Sequence, residues 1–173
     1  LFVSLGVLAA GFHAVSDGGT QVLSSLTVTV EEPGSRATTR KLSAWVNFSV
    51  TGRDGFKAMG TLAPLPDDFA PAGMEVSVSG GGATATLTMD EAGRARSDSG
   101  TFTLRRVRSQ WVFSASARNG SFSTPWGPLG MTDSDAANVG VTMPLAITIN
   151  GVTYVGTKAV TYRGRQGVGG VAK

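Results

Sequence analysis

Residues 141–162 constrain the fold of this chain more than any other segment, because two β-prone runs flank the dipeptide Asn150-Gly151. Asn followed by Gly tolerates the positive φ angles of a type I′ turn, whose twist matches that of two antiparallel strands. Burying one face of such a run stabilises a sheet by roughly 1.5 to 3 kcal/mol per side chain before the entropy cost is subtracted. The apolar side chains that recur at every second position, and so share that face, are Val141, Met143, Leu145, Ile147 and Ile149.

A proline inside the first run restricts where this hairpin can lie. Pro144 has no N–H group to donate to a neighbouring strand, so it is expected at a sheet edge or at a bulge. An edge position would leave the hairpin open to a strand from a neighbouring subunit.

The composition favours strands over helices along the whole chain. Of its 173 residues, 41% are hydrophobic, only 16% are charged and 24 are glycine, a mixture typical of short strands joined by tight turns. Alternating apolar residues predict further strands, including a hairpin over residues 74–89 and one long strand over residues 94–107. We predict an all-β fold, an antiparallel β-sandwich of about eight to ten strands, with at most one short helix near residues 132–138.

The two ends of the chain differ in composition from the predicted sandwich, which spans residues 20–162. Residues 1–14 are an apolar run of export-signal type. The alternative is a retained N-terminal strand, packed in the core or donated to a neighbouring subunit. Residues 163–173 are rich in glycine and basic, and we expect them to be disordered or to join further sequence. The residues that would make the donated strand's contacts are Leu1, Val3, Leu5 and Val7.

An internal repeat is a hypothesis about the organisation of the sandwich. Residues 56–89 and 111–162 share an order of aromatic-led strand, aspartate-containing loop, Val-rich strand, glycine hairpin and Thr-rich strand. The repeat halves would then be residues 56–107 and 111–162, although regular hairpins alone could produce the same order. A true repeat predicts two similar halves packed with pseudo-symmetry.

The pattern of strands and turns from about residue 41 to 162 resembles the β-rich modules of uncharacterised secreted or surface proteins of bacteria. The likeness carries no functional residue with it. It implies a protein that is exported and works outside the cell or on its surface.

The residue types that most catalytic sites need are scarce. The chain has no cysteine, which excludes thiol nucleophiles and Cys-ligated metals, and its sole histidine, His13, lies in the export-like segment. Carboxylate pairs remain at residues 67–68, 90–91 and 133–135, but acids in turns more often cap backbone N–H groups than catalyse. We predict that the chain is not an enzyme and needs no cofactor, with calcium as the alternative.

Two ligand sites are predicted. Asp133, Asp135 and Asn138 offer the alternating oxygen ligands of a calcium loop, without the central glycine and terminal glutamate of an EF-hand. The alternative role for these residues is to cap a short helix. Trp126 could stack on a sugar if its ring is exposed.

Basic residues outnumber acidic ones, giving a formal net charge of +3. Nucleic-acid binders usually carry more charge, interleaved with aromatic or amide side chains, so we predict no nucleic-acid partner. The cations would protect sheet edges or attract anionic polysaccharide or membrane surfaces. They cluster at Arg105, Arg106 and Arg108, and again at Lys158, Arg163, Arg165 and Lys173.

These patterns together predict an extracellular structural or adhesive β module, a subunit of a fibre or surface assembly whose copies are joined by strand exchange. The alternative is a carbohydrate- or calcium-binding module of a secreted protein, with polysaccharide as its partner. No apolar run reaches the roughly 18 residues that a transmembrane helix needs, so no transmembrane segment is predicted.

Overall fold

Strands form wherever apolar and polar residues alternate between turn signals. The computed structural model describes residues 35–66 and 68–173, so residues 1–14 and both of their predicted roles lie outside the described residues. One helical turn, α1 (Ser123–Trp126), is followed by a 3₁₀ turn at Gly127–Leu129. The strands of the described residues are β1 Arg36–Asn47, β2 Asp54–Ala63, β3 Glu75–Gly80, β4 Ala83–Thr88, β5 Arg94–Ser97, β6 Gly100–Val107, β7 Gln110–Gly120, β8 Ala136–Ile149, β9 Val152–Arg165 and β10 Gly169–Ala172.

The ten described strands belong to one hydrogen-bonded sheet, in the order β4-β3-β8-β9-β10-β1-β2-β7-β6-β5. The ladders are antiparallel, with one parallel bridge between Arg36 and Val155. The sheet curls until β4 approaches β5 and β6, so that it is nearly closed into a barrel. The all-β antiparallel prediction is confirmed. Because the strands form one sheet, the fold is not clearly the predicted sandwich. The sequence could not distinguish the two folds, since two facing sheets and one curled sheet both need strands with alternating inward and outward residues.

The concave face of the sheet is filled by apolar side chains. Val78 and Ile147 lie opposite each other where β3 pairs with β8, and both are fully buried. The predicted inward positions of the hairpin over residues 141–162 are all buried. The largest side chains of the described core are Trp126, Tyr162, Phe56, Phe102 and Phe113.

Both predicted hairpins are confirmed. β8 and β9 are joined by a two-residue turn in which Asn150 has φ 48° and Gly151 has φ 83°. β3 and β4 are joined in the same way, with φ 60° at Gly81 and 90° at Gly82. Positive φ at both turn positions is what a type I′ connection requires.

Two predicted elements are wrong. The long strand over residues 94–107 is a hairpin of β5 and β6, because the hydroxyl of Ser97 accepts the N–H of Ser99 at 3.2 Å and closes a turn. The helix predicted near residues 132–138 is absent, since β8 begins at Ala136. Helical backbone occurs earlier, in α1, where a distant carboxylate accepts the N–H groups that a helix start leaves unpaired.

The predicted disordered tail is part of the sheet. β9 continues to Arg165, and β10 lies between β9 and β1. The ring of Tyr162 lies over Gly164 and Gly170, where an added Cβ would come within 2.5 and 2.3 Å of the tyrosine side chain. The glycines of this segment therefore meet a packing requirement instead of producing disorder.

Pro144 lies in β8, which pairs with β3 on one side and β9 on the other. Its carbonyl oxygen accepts the N–H of Gly81 at 2.8 Å, so its own nitrogen faces the end of β3. The last β3–β8 pair is Gly80 with Leu145. Among the described strands, residues 136–144 of β8 therefore have a partner only on the β9 side, and the proline occupies a local edge.

The strand order has an internal two-fold symmetry. If each strand is exchanged with the one five places before or after it, eight of the nine neighbouring pairs map onto pairs of the same sheet order, two of them, β3–β8 and β2–β7, onto themselves. The ninth, β9–β10, maps onto β4–β5, the seam where the sheet stays open. The similarity predicted between residues 56–89 and 111–162 corresponds to β2–β4 and β7–β9. By this symmetry the first half consists of β1 to β5 and the second half of β6 to β10.

Gly60 on β2 lies against the backbone of β1, at a β-bulge that shifts the register between Thr39 and Lys41. A Cβ at Gly60 would lie 2.1 Å from the carbonyl oxygen of Thr38. We expect Gly60→Ala to lower the free energy of unfolding by about 1 to 3 kcal/mol, because β1 must move. Urea denaturation measures this. The matched control is Gly140→Ala on β8, which has open space around it; a loss equal to the control's would contradict the prediction.

Candidate surface-binding site

The predicted calcium ligands hold the turn between β9 and β10. Asp133 accepts the N–H of Gly167 at 2.6 Å, and Asp135 accepts that of Gln166 at 3.1 Å. The side-chain oxygen of Asn138 accepts a hydrogen bond from Arg163 Nε at 2.9 Å. Within residues 35–66 and 68–173, no three acidic or histidine side chains gather as metal ligands. Each of these three side chains thus already holds part of the fold through one of its oxygens.

Tyr162 provides a pH-dependent contact beside this loop. Its hydroxyl donates to the carbonyl oxygen of Thr132 at 3.0 Å. Burial and then the nearby Asp133 carboxylate raise the pKa of Tyr162 above its usual value of 10.0. The folded state thus holds this proton more tightly than the unfolded chain does. The contribution of the Tyr162 hydroxyl to the free energy of unfolding is therefore fully present below about pH 10, and it is lost as the pH rises through the pKa of the folded state.

We expect the free energy of unfolding to fall less steeply above about pH 10 in Tyr162→Phe than in the parent chain. The variant should also lose about 1 kcal/mol near neutral pH, since one hydrogen bond is gone. Urea titrations between pH 8 and 11 measure both effects. Parallel curves for parent and variant would show that Tyr162 does not contribute to the alkaline loss.

Trp126 is buried, which corrects its prediction as a sugar-stacking residue. The side chain is 0% exposed, and its Nε1–H donates to the carbonyl oxygen of Gly80 at 2.9 Å. Its ring packs against Phe122, with ring centroids 5.2 Å apart. A ring in this position presents no face to a sugar. The sequence could not show this, because an irregular loop carries no periodicity from which to infer burial.

Asp54 is the one charged residue of the described core, with 2% of its surface exposed. One carboxylate oxygen accepts the N–H of Asn47 at 2.7 Å, and the other accepts those of Phe122 and Ser123 at 2.6 and 3.1 Å. It therefore ties the β1–β2 turn to the start of α1. Sequence reasoning missed it, because an acid directly after a turn resembles an exposed cap.

A cleft opens where β1 and β9 separate. The two strands meet at the bridge between Arg36 and Val155, and further along they are held apart by β10, which ends at Ala172. Between these points lies a cleft of about 500 Å³, the β1–β9 cleft. Its cationic lining residues are Arg40, Lys41, Lys57, Lys158 and Lys173.

The contacts that the described residues make with the cations of this cleft are neutral. Arg40 donates to the side-chain oxygen of Gln110 at 3.3 Å, and the Lys57 ammonium lies 6.0 Å from the ring centre of Trp45. Neither contact carries a negative charge. In the part of the chain that the structure describes, no ion pair joins a cleft cation to a carboxylate. The cleft is thus a positively charged concavity.

The positive surface continues from the cleft across the convex side of five strands, here called the basic face. Its rows of paired residues carry cations and hydroxyl side chains together with Met59, so the face offers charge and hydrogen-bonding groups at strand spacing. One row of paired residues is Lys41, Met59, Ser114, Thr103 and Arg94, and the next is Ser43, Lys57, Ser116, Thr101 and Arg96.

This surface brings together residues that are distant in sequence. Lys158 and Lys173 belong to a basic cluster found in the sequence, whereas Lys41 and Lys57 come from β1 and β2. The positions of the acidic residues in the sequence could have indicated this basic surface. The acids among the described residues lie in turns or at the starts of strands, so the charged residues along the outward strand positions are mainly cations.

Comparison of the chain with protein-family models, with curated proteins and with solved structures finds no match. Its function therefore has to be inferred from the residues above. Among the described residues, no helix has the length and apolar character needed to cross a membrane.

Proposed function

We propose that this chain is an extracellular structural or adhesive β module, which acts by surface contact through its basic face. The observation that carries the proposal is the separation of charge. Lys41, Lys57, Arg94 and Arg96 project from the face, while the described acids lie in turns or at strand starts. Such a surface attracts polyanions over about one Debye length, which is roughly 10 Å at 0.1 M salt.

The interior gives this proposal further support. Asp54, the one buried carboxylate among the described residues, already accepts three backbone N–H groups, and the Asp133 and Asp135 side chains each accept another. A general acid or base needs a group that is free to reach a substrate proton. The described acids that have structural partners are thus poor candidates for catalysis.

Retention on charged beads tests the adhesive function. We expect the protein to bind sulfate-coated beads, to ignore amine-coated beads, and to elute as salt is raised towards 1 M. Arg94→Glu combined with Arg96→Glu should weaken retention about tenfold. The matched control is Arg53→Glu with Arg108→Glu, which makes the same change in net charge in the β1–β2 and β6–β7 turns instead of within the rows. Equal loss in both variants would show that net charge alone causes retention.

Assembly by strand exchange is a second candidate, favoured by the open edge of β8 at residues 136–144. Gly140 and Thr142 lie on this edge, and by the alternation that Pro144 sets, their N–H groups point away from β9. A strand from a second copy could pair there. We expect concentration-dependent sedimentation in the parent chain and a monomer in Thr142→Pro. Thr142→Val, which keeps the N–H group, should associate like the parent; association of the proline variant would exclude this edge.

A further inference from the structure

The β1–β9 cleft reaches from the convex face towards the core. Lys41, Lys57 and Lys173 stand at outward positions, whereas Leu42 and Val160 are buried inward residues of the same cleft. The opening exists because the two strands pair neither with each other nor with β10 along this stretch.

Lys158 is the unusual member of this lining. It pairs with Met143, whose side chain is 0% exposed, so the lysine occupies an inward position in the alternation of β9. It is half-buried and lies beside the apolar side chains of Leu42 and Val160. Partial removal of an ammonium from water is unfavourable unless an anion compensates. An anionic group that enters the cleft would supply this compensation.

We propose that the cleft binds one carboxylate or sulfate group of a linear anionic polysaccharide, whose neighbouring sugars lie along the basic face. This inference rests on the proposed adhesive function and names its partner. Lys158 and Lys173 contact the anionic group within the cleft. Lys41 and Lys57 belong to both the cleft and the face, so they continue the positive path from one to the other.

The chemistry of the face favours a glycan over the two other common polyanions. Single-stranded nucleic acid is bound by stacking its bases on exposed aromatic rings, whereas the face rows carry serine, threonine and Met59 between the cations, and the Trp45 ring beside Lys57 is half-buried. Those hydroxyls match the hydrogen-bonding groups of sugars. Binding within a bilayer surface needs a continuous apolar patch with aromatic anchors. Of the large apolar side chains exposed among the described residues, only Met59 belongs to the face rows, so the rows do not form such a patch. The exposed set is Val50, Met59, Val107, Val139, Val168 and Val171.

Fluorescence anisotropy with a labelled sulfated hexasaccharide tests the inference. We expect saturable binding that weakens with salt, and about tenfold weaker binding by Lys158→Glu with Lys173→Glu. Because a glutamate at an inward position could disturb folding, Lys158→Met with Lys173→Met is the second variant, which keeps most of the unbranched side chain and removes the ammonium group. The control is Arg53→Glu with Arg108→Glu, which changes the net charge by the same amount as the glutamate variant of the cleft. Circular dichroism confirms that each variant is folded.

The remaining outcomes separate this inference from the adhesive function. Loss of hexasaccharide binding by the cleft variants, with retention on sulfate beads kept, supports the cleft as the specific site. Unchanged hexasaccharide binding by folded methionine variants overturns the cleft but leaves adhesion through the face intact. Equal or tighter binding of duplex DNA, single-stranded DNA or anionic vesicles overturns the glycan assignment. If neither beads nor hexasaccharide bind, both the inference and the adhesive function fail.

Discussion

Replacing Asp54 with alanine is expected to lower the free energy of unfolding by about 3 to 5 kcal/mol. The carboxylate is 2% exposed and accepts the N–H groups of Asn47, Phe122 and Ser123. Its loss leaves three backbone donors without their acceptor in a place where water enters poorly, and each such donor costs about 1 to 3 kcal/mol. The effects overlap, because freed loops can move towards solvent.

Two further variants make the Asp54 measurement specific. Asp54→Asn keeps the shape but replaces one acceptor oxygen with an NH₂ donor, so we expect it to recover only part of the lost stability. Asp98→Ala removes an exposed carboxylate from the β5–β6 turn and should change stability by less than about 0.5 kcal/mol. Equilibrium urea denaturation gives all three values. A loss below about 1 kcal/mol for Asp54→Ala would mean that the three hydrogen bonds are not essential.

Replacing Trp126 with alanine is expected to cost about 3 to 5 kcal/mol of unfolding free energy. The side chain is among the largest fully buried in the described core, and it fills the space beside the β3–β4 turn. Its Nε1–H also satisfies the Gly80 carbonyl, which the substitution leaves without this donor. Removing the indole ring leaves a cavity that the surrounding sheet cannot close.

Trp126→Phe separates the two contributions. It keeps most of the apolar volume and removes the N–H group, so we expect a smaller loss, of about 1 to 2 kcal/mol. Both variants should bind the sulfated hexasaccharide with unchanged affinity at temperatures where they remain folded. Weakened binding by a fully folded Trp126→Phe would restore this residue as part of a carbohydrate site.

Local sequence signals predicted the hairpins well because turn chemistry and period-two alternation act over a few residues. Asn150-Gly151 and Gly81-Gly82 both adopt the positive φ angles inferred from their composition. The same signals could not say how the hairpins join. Alternation specifies an inward face, and a curled sheet and a sandwich bury that face equally well.

The predictions that failed depended on long-range contacts. The glycines of residues 163–173 suggested disorder, but their lack of side chains is what admits the Tyr162 ring. A short helix was expected near residues 132–138, but β8 begins at Ala136, and Asp133 and Asp135 accept N–H groups more than thirty residues away. In each case the partner lies on β9 or in the turn that follows it, which the sheet brings near, and composition alone cannot identify it.

The candidate site was predicted only in part, for the same reason. The basic cluster at the C-terminal end of the sequence contributes Lys158 and Lys173 to the β1–β9 cleft. Lys41 and Lys57 join them because β10 inserts between β9 and β1 and stops at Ala172. That insertion follows from the pairing of the tail, which the sequence did not predict.

The most direct test of contact through the basic surface is a map of amide chemical shifts as a sulfated hexasaccharide is added to the isotope-labelled chain. We expect the largest changes at Lys41, Lys57, Lys158 and Lys173, with smaller ones across β5 to β7 and little change in the β3–β4 hairpin. Changes centred on residues 133–138, or spread evenly over the sheet, would contradict it.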